Sequence, residues 1–145
     1  IAIQKLSTLG RVDHIANYNL QGCSCYQSQP LLELYSQYKF VLCFENSNTD
    51  GYTTEKIFNV FLSGSIPIYD GPNNVGEYFN KDSFISYDNN GGFVDTIKDM
   101  MQNEMKYAAM IRANKINESY IDKITSHTPG GDYLSRLLSK KEIKT

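Results

Sequence analysis

The fold is decided by the stretch from Lys39 to Pro72, KFVLCFENSNTDGYTTEKIFNVFLSGSIPIYDGP. Its first seven residues carry the continuous apolar run FVLCF between Lys39 and Glu45, which is typical of a strand covered on both faces. A helix is predicted to begin after Thr53 or Thr54, whose hydroxyl can cap it, and to end at Gly64. The segment Ser65–Tyr69 then reads as a second strand. This strand–helix–strand order predicts a parallel sheet.

The rest of the chain continues the same alternation. Pro67 predicts that its strand begins late or lies near a sheet edge. Further helices are expected at 1–9, ending in a left-handed cap at Gly10, and at 31–38, 75–79, 93–101 and 106–124, with short strands at 12–15 and 83–87. We therefore expect one α/β domain over residues 1–145, a Rossmann-like parallel sheet flanked by helices.

Composition excludes several classes of protein. The net charge of −2 gives no basic surface for nucleic acid or for an anionic membrane. No apolar run approaches the ~20 residues of a membrane span. An odd cysteine count is a poor disulfide framework: Cys43 reads as a buried apolar residue, and Cys23 and Cys25 have too few companions for a zinc site. We predict no metal and no cofactor, and reduced cysteines in a cytosolic setting.

A polar loop separates the first strand from the helix. In open α/β sheets, ligands bind beyond the carboxyl ends of the strands, where this loop lies. The helix N-terminus and the Lys56 ammonium together suit a diphosphate. The Glu55 carboxylate suits the vicinal hydroxyls of a sugar, and Tyr52 and Asn46 can orient the ligand. These residues together favour a nucleotide-sugar.

A purely structural interpretation stays open on these residues alone. Asn46, Asp50 and Gly51 are common turn residues. Glu55 can complement the helix dipole in the first turn, and Lys56 can be solvated. The glycine-rich signatures of common nucleotide sites are absent from the sequence, so they do not decide the matter.

The same stretch closely resembles the donor-binding motif of the α-1,3-fucosyltransferases, glycosyltransferase family 10. The family pattern corresponds here to Tyr38-Lys39-Phe40, Phe44-Glu45-Asn46-Ser47, Tyr52-Thr53-Thr54-Glu55-Lys56, Gly64, Pro67 and Gly71-Pro72. Weaker similarity extends to Arg11-Val12-Asp13 upstream and to Asp82-Ser83-Phe84-Ile85 downstream. The resemblance covers roughly residues 6–110.

The resemblance implies one half of a GT-B glycosyltransferase, the C-terminal half that holds GDP-L-fucose. It implies that Asn46, Tyr52, Glu55 and Lys56 bind the donor. Lys56 would stabilise the charge that grows on the leaving GDP. Glu45 would be a strand-end anchor, and Ser47 in the same motif a turn residue.

The implied reaction is inverting transfer of L-fucose to a hydroxyl of a glycan acceptor, with N-acetylglucosamine and an α-1,3 linkage as the family expectation. The general base would be a carboxylate of an N-terminal half that this chain lacks, so we expect the chain alone to be a fragment that binds donor weakly and transfers no fucose. A bacterial-type enzyme of the cytoplasm is expected, with peripheral membrane association of the full-length protein, or a Golgi location if the source is eukaryotic. The alternatives are another GT-B nucleotide-sugar transferase and a non-catalytic α/β binding domain.

Overall fold

The computed structural model describes residues 2–13, 29–117 and 120. Three strands, six α-helices and one 3₁₀ turn lie in these ranges. They are α1 Ala2–Leu6, α2 Gln29–Tyr35, β1 Phe40–Phe44, α3 Glu55–Ser63, β2 Ile66–Asp70, α4 Val75–Tyr78, the 3₁₀ turn Lys81–Ser83, β3 Ile85–Ser86, α5 Gly92–Gln102 and α6 Glu104–Arg112. No helix within these ranges has both the length and the apolar character needed to cross a membrane.

The described strands form one parallel sheet in the order β1-β2-β3. Phe40 pairs with Ile66 and Phe44 with Asp70, so β1 and β2 run side by side along their whole lengths. β3 pairs with β2 at two positions. Ile85 lies beside Ile68, and Ser86 lies beside Tyr69. Because the strands are parallel, their carboxyl ends meet at one edge of the sheet. The predicted parallel sheet flanked by helices is confirmed.

The edge position predicted from Pro67 is wrong, because β2 is the central strand. Proline lacks the N–H that a central strand normally donates. In the parallel ladder, the Ile66 N–H donates to the carbonyl of Lys39, just before β1, and the Tyr69 carbonyl accepts from the N–H of Tyr87, just after β3. Pro67 therefore faces the β3 side, and β3 begins to pair only at Ile68. A central strand accommodates this proline because no neighbour there needs its N–H.

Each face of the sheet carries its own apolar cluster. On one face α3 packs over the alternate residues of β1, with Ile57, Val60 and Phe61 among its buried members. On the other face, Phe93 and Ile97 of α5 pack over the remaining strand residues. Burial on both faces explains the unbroken apolar run in β1. It includes Cys43, a buried free thiol as predicted, whose pKa is raised by desolvation.

The end of α3 agrees with its prediction. Gly64 has φ 84°, the left-handed conformation that glycine adopts without strain. Its N–H bonds back to the Phe61 carbonyl, and the Ser65 N–H bonds to the Val60 carbonyl. These bonds satisfy carbonyls at the helix end and turn the chain directly into β2.

The predicted left-handed cap at Gly10 is wrong. α1 ends earlier, at Leu6, and the chain continues in short turns in which Thr8 donates to the Lys5 carbonyl and Leu9 to the Leu6 carbonyl. The carbonyls are thus already satisfied before Gly10, whose φ is not positive. Val12, the described start of the strand predicted at 12–15, is not in a strand.

Two further elements are shorter than predicted. The strand expected at 83–87 is reduced to β3, because Asn80 caps a 3₁₀ turn and accepts from the Asp82 N–H. The helix expected at 106–124 ends at Arg112. Lys115 donates to two carbonyls in the last turn of α6, and the chain then pairs Ile116 with Phe79. The predictions for Cys23, Cys25 and the chain beyond 120 lie outside the described residues.

Asp88 holds the start of α5. Its carboxylate accepts from the N–H groups of Gly91, Gly92 and Phe93, at 2.6, 3.0 and 2.9 Å. Desolvation opposes ionisation, but these backbone donors outweigh it and lower the pKa of Asp88. A carboxyl with a lowered folded-state pKa contributes stability above its unfolded pKa, about 3.9, and loses it as pH falls through the folded value.

Replacing Asp88 with asparagine is therefore expected to lower the free energy of unfolding at neutral pH. The difference from wild type should shrink progressively below about pH 4, where the wild-type carboxyl also becomes neutral. Urea unfolding at several pH values measures this difference. A difference that stayed constant with pH would show that the charge of Asp88 does not stabilise the helix start. Asp95→Asn, at an exposed position on α5, is the matched control.

Candidate functional site

The polar loop runs from the carboxyl end of β1 to the N-terminus of α3. Local hydrogen bonds shape it: Ser47 Oγ lies 2.8 Å from Thr49 Oγ1, and the Tyr52 N–H donates to the Thr49 carbonyl at 2.9 Å. Gly51 has φ 84°, which lets the chain reverse without steric strain. Ser47 and Gly51 therefore build the turn that places the remaining polar side chains.

Lys56 lies one residue inside α3, and its amine folds back onto the end of β1. The amine donates to the Phe44 carbonyl and to Asn46 Oδ1, both at 3.1 Å. Its nitrogen also lies 3.5 Å from Glu45 Oε2. The side chain keeps 32% of its surface exposed. The structure thus brings Lys56 and Asn46 into direct contact, with a cation fixed at the sheet edge and still open to a ligand.

The predicted hydroxyl cap of α3 does not form at Thr54. It occupies the N-cap position, but the hydroxyl donates to Glu45 Oε2 at 2.7 Å, and its N–H donates to Glu45 Oε1 at 2.8 Å. A buried carboxylate is a stronger acceptor than the hydroxyl, so it takes both donors. This arrangement agrees with the anchoring role expected for Glu45. It also leaves N–H groups of the first turn of α3 without a side-chain cap.

The other two predicted donor residues are Tyr52 and Glu55. Tyr52 lies in the same loop, and Glu55 lies at the start of α3. Tyr52 is 41% exposed, and Glu55, the first residue of α3, is half-buried. Within the described part of the chain, no hydrogen bond joins the phenol or the carboxylate to a protein partner. Within these ranges, no hydrogen bond or ion pair links either side chain to Lys56 or Asn46.

Two contacts that support the loop were not predicted from the sequence. Asn74, after β2, accepts from the Gly51 N–H at 3.3 Å and fastens the loop tip to the next connection. Gly71 lies so close to the Tyr69 ring that a β-carbon there would approach the phenol oxygen to 2.4 Å. Asparagine after a strand is too common a turn residue to signal such a contact. The glycine–proline pair was visible in the sequence, but its packing against Tyr69 was not.

One cavity among the described residues lies away from this loop. It has a volume of about 750 Å³ and runs along β1 between α1 and α5, with lining residues that include Leu6, Leu42 and Met101. None of the four predicted site residues lines it. No group of three or more potential metal ligands comes together in the described ranges.

Comparison with known proteins identifies the family of the chain. Residues 2–126 match the model of the glycosyltransferase family 10 (fucosyltransferase) C-terminal region. The chain is 34% identical over 119 residues to the Alpha-(1,3)-fucosyltransferase FucT of Helicobacter pylori. This alignment covers 80% of this chain and 23% of that protein. It is 36% identical over 90 residues to the human 4-galactosyl-N-acetylglucosaminide 3-alpha-L-fucosyltransferase 9, covering 59% of this chain and 25% of that one.

A solved structure shows the same fold. The crystal structure of an alpha1,3-fucosyltransferase with GDP superposes with a TM-score of 0.66 at 29% identity, over 99% of this chain and 43% of that one. This similarity supports the assignment to one half of the GT-B fold. The chain spans about a quarter of the length of the curated relatives given above. On the family match and the shared fold, the chain belongs to glycosyltransferase family 10, the fucosyltransferases, in its C-terminal region.

Proposed function

We propose that this chain is the donor-binding part of a fucosyltransferase that moves L-fucose from GDP-fucose to a hydroxyl of a glycan acceptor. The observation that carries the proposal is the Lys56 amine, held at the carboxyl end of β1 beside the N-terminus of α3. A cation and a helix N-terminus at one point favour a diphosphate. The solved relatives with GDP and with GDP-fucose support the identity of the donor.

Each predicted site residue receives a role in this proposal. Lys56 and the first turn of α3 bind the diphosphate and stabilise its charge as the bond to fucose C1 breaks. Glu55 accepts hydrogen bonds from hydroxyls of ribose or fucose. Tyr52 packs against the donor with its exposed ring, and the free amide N–H₂ of Asn46 orients it. All four side chains lie on one loop and the first turn of the following helix.

The acceptor hydroxyl attacks C1 as GDP leaves, which inverts the configuration at that carbon. A general base must take the proton of the hydroxyl. We place this base, and the choice of N-acetylglucosamine with an α-1,3 linkage, in a part of the protein outside this chain. The match of this chain to the C-terminal region of the family supports that division. We also propose the cytoplasm as the compartment, with GDP-fucose as substrate and no metal or cofactor.

A nucleotide titration tests the donor specificity. NMR spectra of the ¹⁵N-labelled chain, titrated with GDP, UDP and ADP to millimolar concentration, detect weak binding. We expect GDP to bind most tightly and to shift the backbone signals of Tyr52 to Lys56 more than those of α6. A preference for UDP would instead indicate another nucleotide-sugar transferase. If no nucleotide shifted these signals or protected these amides from hydrogen exchange, a non-catalytic binding domain would be the better interpretation.

A further inference from the structure

Glu45 is a buried carboxylate to which the proposed donor contacts give no role. Its side chain is fully buried, with 0% of its surface exposed. Besides the two bonds from Thr54, it accepts a long hydrogen bond of 3.4 Å from the Tyr69 phenol, whose pKa is raised by burial. Burying a charge is costly unless partners compensate it. Thr54 supplies two such partners beneath the candidate site.

The Lys56 amine is the only cation that the structure places within ion-pair distance of this carboxylate among the described residues. An ammonium has three N–H donors. The Phe44 carbonyl and Asn46 Oδ1 take two of them at 3.1 Å each. The separation of 3.5 Å from Glu45 Oε2 is long for a hydrogen bond, so Glu45 attracts the amine through charge and leaves the third donor available.

We propose that Glu45 is a positioning residue that acts through Lys56, a step that rests on the function proposed above. The carboxylate and the two hydrogen bonds hold a long, flexible side chain in one orientation before the donor arrives. A free lysine side chain loses rotamer entropy when it becomes ordered. A lysine ordered in advance has already lost this freedom, so binding of the diphosphate is stronger and more directional.

The same carboxylate also positions the first turn of α3, the second element that is proposed to bind the diphosphate. Through the Thr54 N–H, Glu45 fixes the entrance of α3, and through its charge it fixes the Lys56 amine. Both elements therefore keep a constant separation as the ligand binds. Glu45 itself does not contact the donor, because its side chain is fully buried.

A double-mutant cycle separates positioning from simple support of the fold. GDP affinity of the 145-residue chain is measured by NMR titration for wild type, Glu45→Gln, Lys56→Ala and the double variant. We expect Lys56→Ala to weaken GDP binding at least about tenfold and Glu45→Gln about three- to tenfold. In the Lys56→Ala background, Glu45→Gln should add less than about twofold, because its effect requires the amine.

Tyr69→Phe is the matched control, since it removes another partner of the Glu45 carboxylate without touching Lys56. It should change GDP affinity by less than about twofold. Losses that multiply in the double variant would show that Glu45 only supports the fold, and tighter GDP binding by Glu45→Gln would show that it only repels the diphosphate. Either result overturns the inference. If Lys56→Ala itself left GDP affinity unchanged, the diphosphate-binding role of Lys56 in the proposed function would be wrong.

A second measurement applies if Glu45→Gln fails to fold. NMR relaxation of lysine side-chain amines in the wild-type chain should show Lys56 less mobile than Lys98, whose side chain is 51% exposed. Equal mobility of the two amines in the ligand-free protein would overturn the inference. This comparison uses no variant, so it does not depend on the stability of any substitution.

Discussion

Lys56→Ala in the complete natural protein is expected to lower kcat for fucosyl transfer by about 10²- to 10³-fold. The Lys56 amine is held at the edge of the sheet, beside the first turn of α3. There it would meet negative charge that develops on GDP as the glycosidic bond breaks. The rate of GDP release from GDP-fucose, with acceptor present, measures the loss. The thermal midpoint should fall, because the buried Glu45 carboxylate loses its ion-pair partner, so kcat is compared at a temperature at which both proteins are folded.

Lys98→Ala provides the control for a general loss of positive charge. Lys98 lies on the exposed face of α5, in a surface ion pair with Asp95, and is far from the loop in sequence. Its removal should leave kcat and KM for the donor unchanged. If Lys56→Ala retained wild-type kcat while raising KM alone, Lys56 would contribute to ground-state binding and not to leaving-group stabilisation. Unchanged kcat and KM would remove Lys56 from the site.

Ile57→Ala is expected to lower the free energy of unfolding by about 2–5 kcal/mol, the usual range for a buried large-to-small substitution. Ile57 follows Lys56 in α3 and is entirely buried (0% exposed) against the sheet. Truncation leaves a cavity beneath the helix that carries the site. Urea unfolding followed by circular dichroism measures the loss. The helix remains held by its other buried residues, so molecules that fold should still bind GDP.

Met105→Ala is the matched control, because Met105 on α6 is 83% exposed. Its removal should change the free energy of unfolding by less than about 0.5 kcal/mol. A similar loss in both variants would contradict the assigned packing of α3. If Ile57→Ala unfolded with little loss of stability, the apolar face of α3 would not be the element that holds the loop and Lys56 in place.

Elements with a strong local signal were predicted correctly. The apolar run of β1, the wide apolar face of α3 and the glycine at its end are readable because each arises within a few neighbouring residues. The errors fall where distant partners intervene. Pro67 predicts a strand that begins late or lies near an edge, yet it lies in the central strand of the described sheet, because tolerance of its missing N–H depends on where β3 begins. Gly10 and the helix predicted beyond Arg112 were misjudged because hydroxyls and Lys115 cap the chain earlier.

The candidate site divides in the same way. Its loop and its four proposed donor residues could be named from residue types at a strand end, helped by the family motif. The tertiary structure added which of them touch: Lys56 contacts Asn46, whereas Tyr52 and Glu55 have no hydrogen-bonded protein partner in the described ranges. It also showed that the N–H and hydroxyl of Thr54 donate to the Glu45 carboxylate, although the sequence favoured a hydroxyl cap on the helix. A buried carboxylate competes successfully for those donors only once the strand end and helix start are adjacent.

The sequence by itself therefore determined the class of fold, the family and the loop that is proposed to bind the donor, since periodicity and motif spacing are local properties of a chain. Only the tertiary structure decided the order of the strands, the central position of Pro67 and the orientation of the Lys56 amine. These depend on contacts between residues far apart in sequence. The Glu45 carboxylate, which ties β1 to α3 and lies beside the amine, becomes recognisable only when the two elements are seen together.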